Sequence, residues 1–412
     1  MRVSSLEIPE DVSLRRGSRR PPELRQPGYD EAYDDTVIFY DVFRWGDRIG
    51  VSGPPLMGFR ELIESSRFLG DGEPITDYEF RDRDRVQSSW LHSDARETLV
   101  VSNELFTAEL AIGTDDSELF RDRRALVAIS QDNHLLWIRD WLRFHHEMHG
   151  VDAVVLYDNA SRTYRVDELL DAVRSVPGIE VGLVVEWPFK FGPGPGKPPR
   201  FDSAWCQHGV LEHAHWRFLR QAHGVINADI DELVVTDDDR PVFDHAEESA
   251  TGVLRYRGVW VEPAADVPPT AETVRYRDFR YVDPGRPRTT AKWTLIPRML
   301  PPGCQWRLHN VVGVEPSRTK KVRHRHFEGL NTGWRYDTEV VRVDRNRHRE
   351  DQHLARLLDQ VFPGGRPSLL ARGLARLRRR VAPPRQAPNR PRSSWEESGF
   401  RHRHQRGAHE DG

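Results

Sequence analysis

Apolar residues fall along this chain in two rhythms. In the first third they come in short runs, Thr36-Val37-Ile38-Phe39-Tyr40, Arg48-Ile49-Gly50-Val51, Leu99-Val100-Val101 and Phe106 to Ile112, parted by Gly and Asp clusters. Such runs read as strands, so residues 36–120 predict a small antiparallel β-rich module, interrupted by a helical stretch near Arg60 to Phe68. A module of this kind can bind carbohydrate or brace its neighbour, and without an aromatic platform visible in the sequence the brace is the expectation. From Arg124 strands alternate with helices, the mark of an α/β domain with a largely parallel sheet, and this domain is assigned to residues 121–350. Its strands are predicted at Ala125–Ser130, Val151–Tyr157 and Ile179–Val185. Between them a helix opens at Asn133 as N-cap, with Leu135, Ile138, Trp141, Leu142 and His145 at helical spacing, and ends at Gly150. A second helix runs through Val166 to Val173, and a long one, Phe201 to Gln221, is apolar at Cys206, Val210, Ala214 and Phe218.

That long helix delivers the chain to Gly224-Val225-Ile226-Asn227-Ala228, a buried strand ending in Asp229-Ile230-Asp231-Glu232 before Leu233-Val234-Val235 turns apolar again. On an extended backbone, Asp229 and Asp231 point to one side while Ile230 points back into the core. Adjacent carboxylates repel, and burial adds to the cost, so a positive partner is required. A hard divalent cation that also holds a diphosphate meets that need. Open α/β sheets bind ligands beyond the carboxyl ends of their strands, which gathers Ser130 to Asn133, Asp158 to Ser161 and Asp229 to Glu232 on one rim. Taken alone, the acidic run also fits a solvated turn.

The ends read differently. Residues 1–35, rich in Arg, Pro and acids, are expected to be a flexible lead, and residues 351–412 a basic, partly disordered tail. Within the tail, Leu370, Leu374 and Leu377 with Arg372, Arg376 and Arg378 to Arg380 suit a basic amphipathic helix touching an anionic membrane, or a solvated segment. The Gly/Pro-rich loop Phe191 to Arg200 suits a flap or a plain linker. Composition narrows the class further. A net charge of −3 over 412 residues argues against binding nucleic acid by bulk charge. Cys206 and Cys304 are the only cysteines, which leaves no disulfide framework or thiolate zinc cluster and fits a reducing cytoplasm. With no run of about 18 apolar residues and no apolar signal core, the expectation is a soluble protein, at most peripheral to the inner face of a membrane.

Taken together these residues resemble bacterial glycosyltransferases with a GT-A fold, most closely the group related to glycosyltransferase family 92 and family 2-like enzymes. The family's opening pattern is followed at Ile129, Asn133-His134, Asp140-Trp141, His145, Gly150 and Asp158-Asn159-Ala160-Ser161. Its Asp-x-Asp-Glu-Phe is similar to Asp229-Ile230-Asp231-Glu232-Leu233, and its later Lys, His and His-Tyr correspond by order to Lys292, His309 and His326-Phe327. The likeness runs from Arg124 to Trp334; His134 and Asp140 stand where the family has Glu, and Phe327 where it has Tyr. The resemblance implies a Rossmann-like mixed sheet flanked by helices, behind the β-rich module. It implies transfer of a sugar from a nucleotide-diphosphate sugar to a saccharide or lipid-linked acceptor hydroxyl, in surface polysaccharide or glycoconjugate synthesis, with Mn²⁺ or Mg²⁺. In this reading Asp231 holds the metal, Asp229 the metal or ribose, and His326 or His309 completes the set. Asn133, Asp158 and Asn159 would hold the base and its ribose. Inversion at the anomeric carbon would need a carboxylate base, for which Glu262 and Glu232 are the candidates. Two other classes stay open: a metal-dependent phosphohydrolase or nucleotidyltransferase, and a non-catalytic sugar-binding scaffold. The first usually shows a second acid and His cluster or a Gly-rich Lys-bearing loop, which the sequence lacks.

Overall fold

A computed structural model describes residues 1–194, 203–267, 269, 273–332 and 339–363. The main sheet uses β1 (Arg124–Ser130), β2 (Ala153–Asp158), β3 (Val181–Glu186) and β4 (Gly224–Asn227), in the order β3-β2-β1-β4 with all neighbours parallel. These runs are apolar throughout because both faces are covered, as parallel sheets require. Beyond β4 the sheet turns mixed. With β5 (Glu232–Thr236) set aside, it continues through β8 (Ala291–Leu295), antiparallel to β4, then β6 (Val253–Arg257) and β9 (Ser317–Arg318). A second, three-stranded sheet has the order β5-β10-β7, with β7 at Val259–Val261 and β10 at Val322–Phe327. The fold class is therefore mixed α/β around one large mixed sheet.

Two hydrophobic clusters cover its two faces. One holds Leu126, Val154 and Ile226 with Ile138, Trp141 and Leu142 of α1 (Leu135–His149) and Leu169 and Val173 of α2 (Val166–Arg174). The other holds Val127, Val155 and Val225 with Val210 and Leu211 of α3 (Trp205–His213). Helix α1 ends where the sequence suggests: Gly150 takes φ 67°, and its N–H caps the carbonyls of His145 and His146. Its start differs. The N-cap is His134, without a side-chain cap, and the Asn133 amide instead donates to Ser130 Oγ at 3.0 Å.

The helix expected over Phe201 to Gln221 is shorter and broken. Residues 201 and 202 lie outside the described residues; α3 passes into a π turn, Ala214–Phe218, and a 3-10 turn, Leu219–Gln221. Helix α3 is buried nearly all round, Gln207 excepted, so an amphipathic reading underestimates it. The π turn falls where buried polar side chains crowd together. His213 Nε2 meets Asp41 Oδ2 at 2.8 Å, Arg217 pairs with the same carboxylate, and the Tyr157 hydroxyl lies 2.8 Å from His213 Nδ1.

In the N-terminal third, two four-stranded antiparallel sheets, built on Asp41–Trp45 with Arg48–Gly53 and on Arg67–Gly70 with Thr98–Ser102, enclose a core that includes Phe39, Phe59 and Leu99. Between them lies a one-turn helix, Arg60–Glu64. Residues 1–35, expected as a flexible lead, pack against the rest instead. The Leu6–Glu7 strand pairs with Val37–Phe39, Leu6 and Ile8 are buried, and the Met1 ammonium donates to Val184 O at 2.8 Å. Arg16 is buried and donates from each guanidinium nitrogen, to Pro55 O, Asp34 O and Val37 O, with Asp34 Oδ1 3.6 Å away. Composition misleads here because a few apolar plugs and bonded arginines suffice to fix a segment without periodicity. All described residues belong to one compact unit, Met1–Gly365. The Arg-rich segment from Leu369 to Val381, most of the expected loop up to Arg200, and Trp334 lie outside the described residues. Among the described residues no helix is long and apolar enough to cross a membrane.

Candidate functional site

The parallel strands β1, β2 and β4 end at one cleft of about 190 Å³, lined by Ser130, Asn133, Asn159, Asp229, Asp231 and His326 among others. Three strand ends expected on one rim thus meet. Asp229 and Asp231 reach it by a different route from the extended backbone the spacing suggests. Strand β4 stops at Asn227, and residues 229–232 form a turn closed by Glu232 N–H donating to Asp229 O at 3.0 Å. Ile230 is buried as expected, and its carbonyl accepts from the buried Tyr276 hydroxyl, which fixes the turn from below.

Beneath the turn lies a charge network. Lys292 on β8 is 2% exposed, with Nζ at 2.7 Å from Asp229 Oδ2 and 3.2 Å from Glu232 Oε2. Glu232, itself buried, also accepts the Asp229 N–H at 3.1 Å and contacts His324 Nε2 at 3.3 Å and His326 Nδ1 at 3.2 Å. Register explains the convergence: β5 and β10 run antiparallel with Glu232 opposite His326 and Val234 opposite His324, so both imidazoles share one face. Burial alone would raise the Glu232 pKa, but Lys292 and then the two imidazoles hold it well below the usual carboxylate range. Burial likewise would lower the Lys292 ammonium, and Asp229 and Glu232 hold it above its ordinary value. For His326 burial also pulls down, yet Asp231 and Glu232 keep it well above the usual imidazole range. His324 goes the other way, pushed down to about 4 by burial against the pull of Glu232.

These charges decide where a cation fits. Glu232, His324 and His326 present ligand atoms within 4.8 Å of one another, but Glu232 and His324 are buried and the Lys292 ammonium already neutralises that pocket. On the cleft side, Asp231 Oδ2 and His326 Nε2 are 3.3 Å apart. Two ligands bound side by side on an ion with bonds of about 2.1 Å lie about 3 Å from each other, so this pair matches a divalent ion. Asp229, its side chain 44% exposed, gives one oxygen to Lys292 and still lines the cleft.

Other expected residues stand elsewhere. His309 does not line the cleft; its Nδ1 faces Ala291 O at 2.9 Å. Glu262, a candidate base, is buried and ion-paired to Arg286 at 2.8 Å and Arg347 at 3.1 Å, also away from the cleft lining. Glu232, the other candidate base, sits behind the turn and braces it. Asp158 is buried beside the rim, with Oδ1 lacking a partner among the described residues and its pKa raised by burial. Asn159 lines the cleft, but its amide donates to Trp187 O at 2.7 Å and Phe189 O at 2.8 Å, which anchors the following segment. Sequence reasoning missed His324, and it placed Lys292 in the resemblance without giving it a role. Their signals are a lone lysine inside the buried, otherwise uncharged strand Ala291–Leu295 and an i, i+2 histidine pair in β10. Trp260 packs on His326 with ring centroids 4.3 Å apart, and the Arg286 guanidinium lies 4.3 Å above Trp260.

No protein-family model and no curated protein matches the chain. Among solved structures it is similar to the bifunctional glycosyltransferase WbbM (12% identity, TM-score 0.25, covering 36% of this chain and 25% of that one). It is also similar to the mannosyltransferase Ktr4p of S. cerevisiae (12%, TM-score 0.24, 34% and 41%). A third is core-mannan synthase A of Aspergillus fumigatus in its Mn/GDP form (7%, TM-score 0.24, 42% and 57%). These neighbours are glycosyltransferases, and the chain covers a quarter to just over half of each of their lengths.

Proposed function

We propose that the cleft binds a nucleotide-diphosphate sugar together with a divalent cation, Mn²⁺ or Mg²⁺, and that the protein is a glycosyltransferase of GT-A type acting on an acceptor hydroxyl of a saccharide or lipid-linked acceptor. The observation that carries this reading is the meeting of Asp229, Asp231 and His326 in one cleft at the ends of parallel strands, with Asp231 Oδ2 3.3 Å from His326 Nε2. A cation bound there would neutralise the negative charge that gathers on the departing diphosphate. The chain's own residues prepare that place. Lys292 neutralises Asp229 and Glu232 from behind, so the site does not collapse by carboxylate repulsion. Glu232 and Trp260 orient the His326 ring, as partners of metal-binding histidines do. The rim of Ser130, Gln131, Asn133 and Asn159 supplies polar groups for the nucleoside. Inversion, a role in polysaccharide or glycoconjugate synthesis, and the membrane contact of the tail are extensions of this reading.

Thermal melting with UDP, GDP and TDP, each with and without Mn²⁺, tests it. One nucleotide should raise the melting temperature, and only with the metal present. A folded protein that none of the three stabilises, with or without Mn²⁺, would overturn the reading in favour of a scaffold.

A further inference from the structure

A second cavity, of about 300 Å³, opens between the N-terminal segment, the β module and the start of α3. It is far larger than the roughly 10–15 Å³ that one water needs on the same measure. Its walls include Arg19, Arg83 and Arg85, the aromatic side chains of Tyr29 and Trp205, and Ser203. Two acids also line it, but each is already matched. Asp82 pairs with Arg60 at 3.0 Å and accepts Leu56 N–H at 2.9 Å, while Asp84 pairs with Arg307. Arg83 is spent on Glu212 at 3.2 Å and on the carbonyls of Gly303 and Cys304.

Arg19 and Arg85 are the remaining charges. Arg19 is exposed and has no ion-pair partner among the described residues. Among the described residues the guanidinium of Arg85 meets only an imidazole, His208 Nε2 at 3.3 Å, which burial and then Arg85 itself push down to about 3, so it stays neutral. Arg85 also holds φ 64°, a left-handed conformation that a non-glycine residue keeps only when its surroundings impose it. Ser203 is 4% exposed and its Oγ has no hydrogen-bond partner among the described residues, an omission that is costly in the interior unless a ligand satisfies it. The nine-residue helix α3 begins two residues later and sets its positive end at the same wall.

We infer that this cavity is a binding site for an anionic sugar, its carboxylate or phosphate held between Arg19 and Arg85 and a ring hydroxyl bonded to Ser203 Oγ. The site uses no residue of the Asp229–Asp231 cleft and does not rest on the transfer reading. A carboxylate and a phosphate would meet the same two guanidinium groups, so the two sources are separated by measurement.

Isothermal titration of the full chain with glucose 6-phosphate, glucuronate, glucose and inorganic phosphate is the test. At least one anionic sugar should bind at least tenfold more tightly than glucose and than inorganic phosphate, and the tighter of the two identifies the oxyanion. The Arg19→Gln/Arg85→Gln protein should lose at least tenfold for that ligand, Ser203→Ala should weaken it, and Asp231→Ala should bind it unchanged. Arg19 is exposed, so Arg19→Gln alone gives a folded check if the double variant melts early. The inference is overturned if neither anionic sugar binds, if glucose or inorganic phosphate binds as tightly, or if the arginine variants bind as the parent does.

Discussion

At Lys292 one ammonium stands between two carboxylates, 2.7 Å from Asp229 and 3.2 Å from Glu232, inside a strand that is otherwise uncharged. Removing it leaves the buried Glu232 with the His326 imidazolium as its one cationic neighbour among the described residues. Lys292→Met is expected to cost about 3–5 kcal/mol in urea unfolding, the usual result of breaking a buried pair from one side. Adding Glu232→Gln should recover part of that loss. Asp231 is different, because its side chain is 25% exposed at the cleft. Asp231→Ala should change unfolding by less than about 1 kcal/mol, while metal-dependent nucleotide binding and any transfer activity disappear. The acids were legible in the sequence because they end an apolar run; Lys292 was picked out by resemblance alone, and its burial between two carboxylates was not legible, since a single lysine ordinarily reads as a solvated residue. Glu262 shows the reverse error: it follows an aromatic strand, yet two arginines claim it.

Among the elements, β1, β2 and β4 and helices α1 and α2 were readable to within two residues, because each repeats a period that only burial explains. Helix α3 and its π turn were not. Their length depends on Glu212, His213 and Arg217 finding partners more than a hundred residues away, at Ser88 and Asp41 for example. The first 35 residues hid their order in the same way, through long-range bonds that leave no local pattern. Arg16→Met is the variant that tests this element. It leaves buried Asp34, whose pKa burial already raises, without its cation, and should destabilise by about 3 kcal/mol. Limited proteolysis should then cut within residues 1–35 faster than in the parent; equal rates would mean that the segment is held by something else.

Across the whole molecule, buried neutral histidines set the response to acid. Burial pushes His145 down to about 3, His149 to about 4, and His208 and His215 to about 3. Above about pH 6.5 neither the folded nor the unfolded chain protonates them, so they cost nothing. As pH falls from there toward 4, the unfolded chain takes up protons that the folded one refuses, and each histidine removes about 1.4 kcal/mol per pH unit. Melting temperature should therefore drop steeply between pH 6.5 and 4.5. His215, stacked on Trp306 at 4.3 Å with its Nδ1 unpartnered among the described residues, can be replaced in kind: His215→Phe should flatten that slope, and an unchanged slope would count against its neutral state. The central claim concerns the cleft, and Mn²⁺ titration followed by electron paramagnetic resonance, with and without a nucleoside diphosphate, addresses it most directly. The parent protein should remove free Mn²⁺ signal with the nucleotide present, and Asp231→Ala should not. Equal Mn²⁺ binding by the two proteins, or none by either with any of the three nucleotides, would contradict the account.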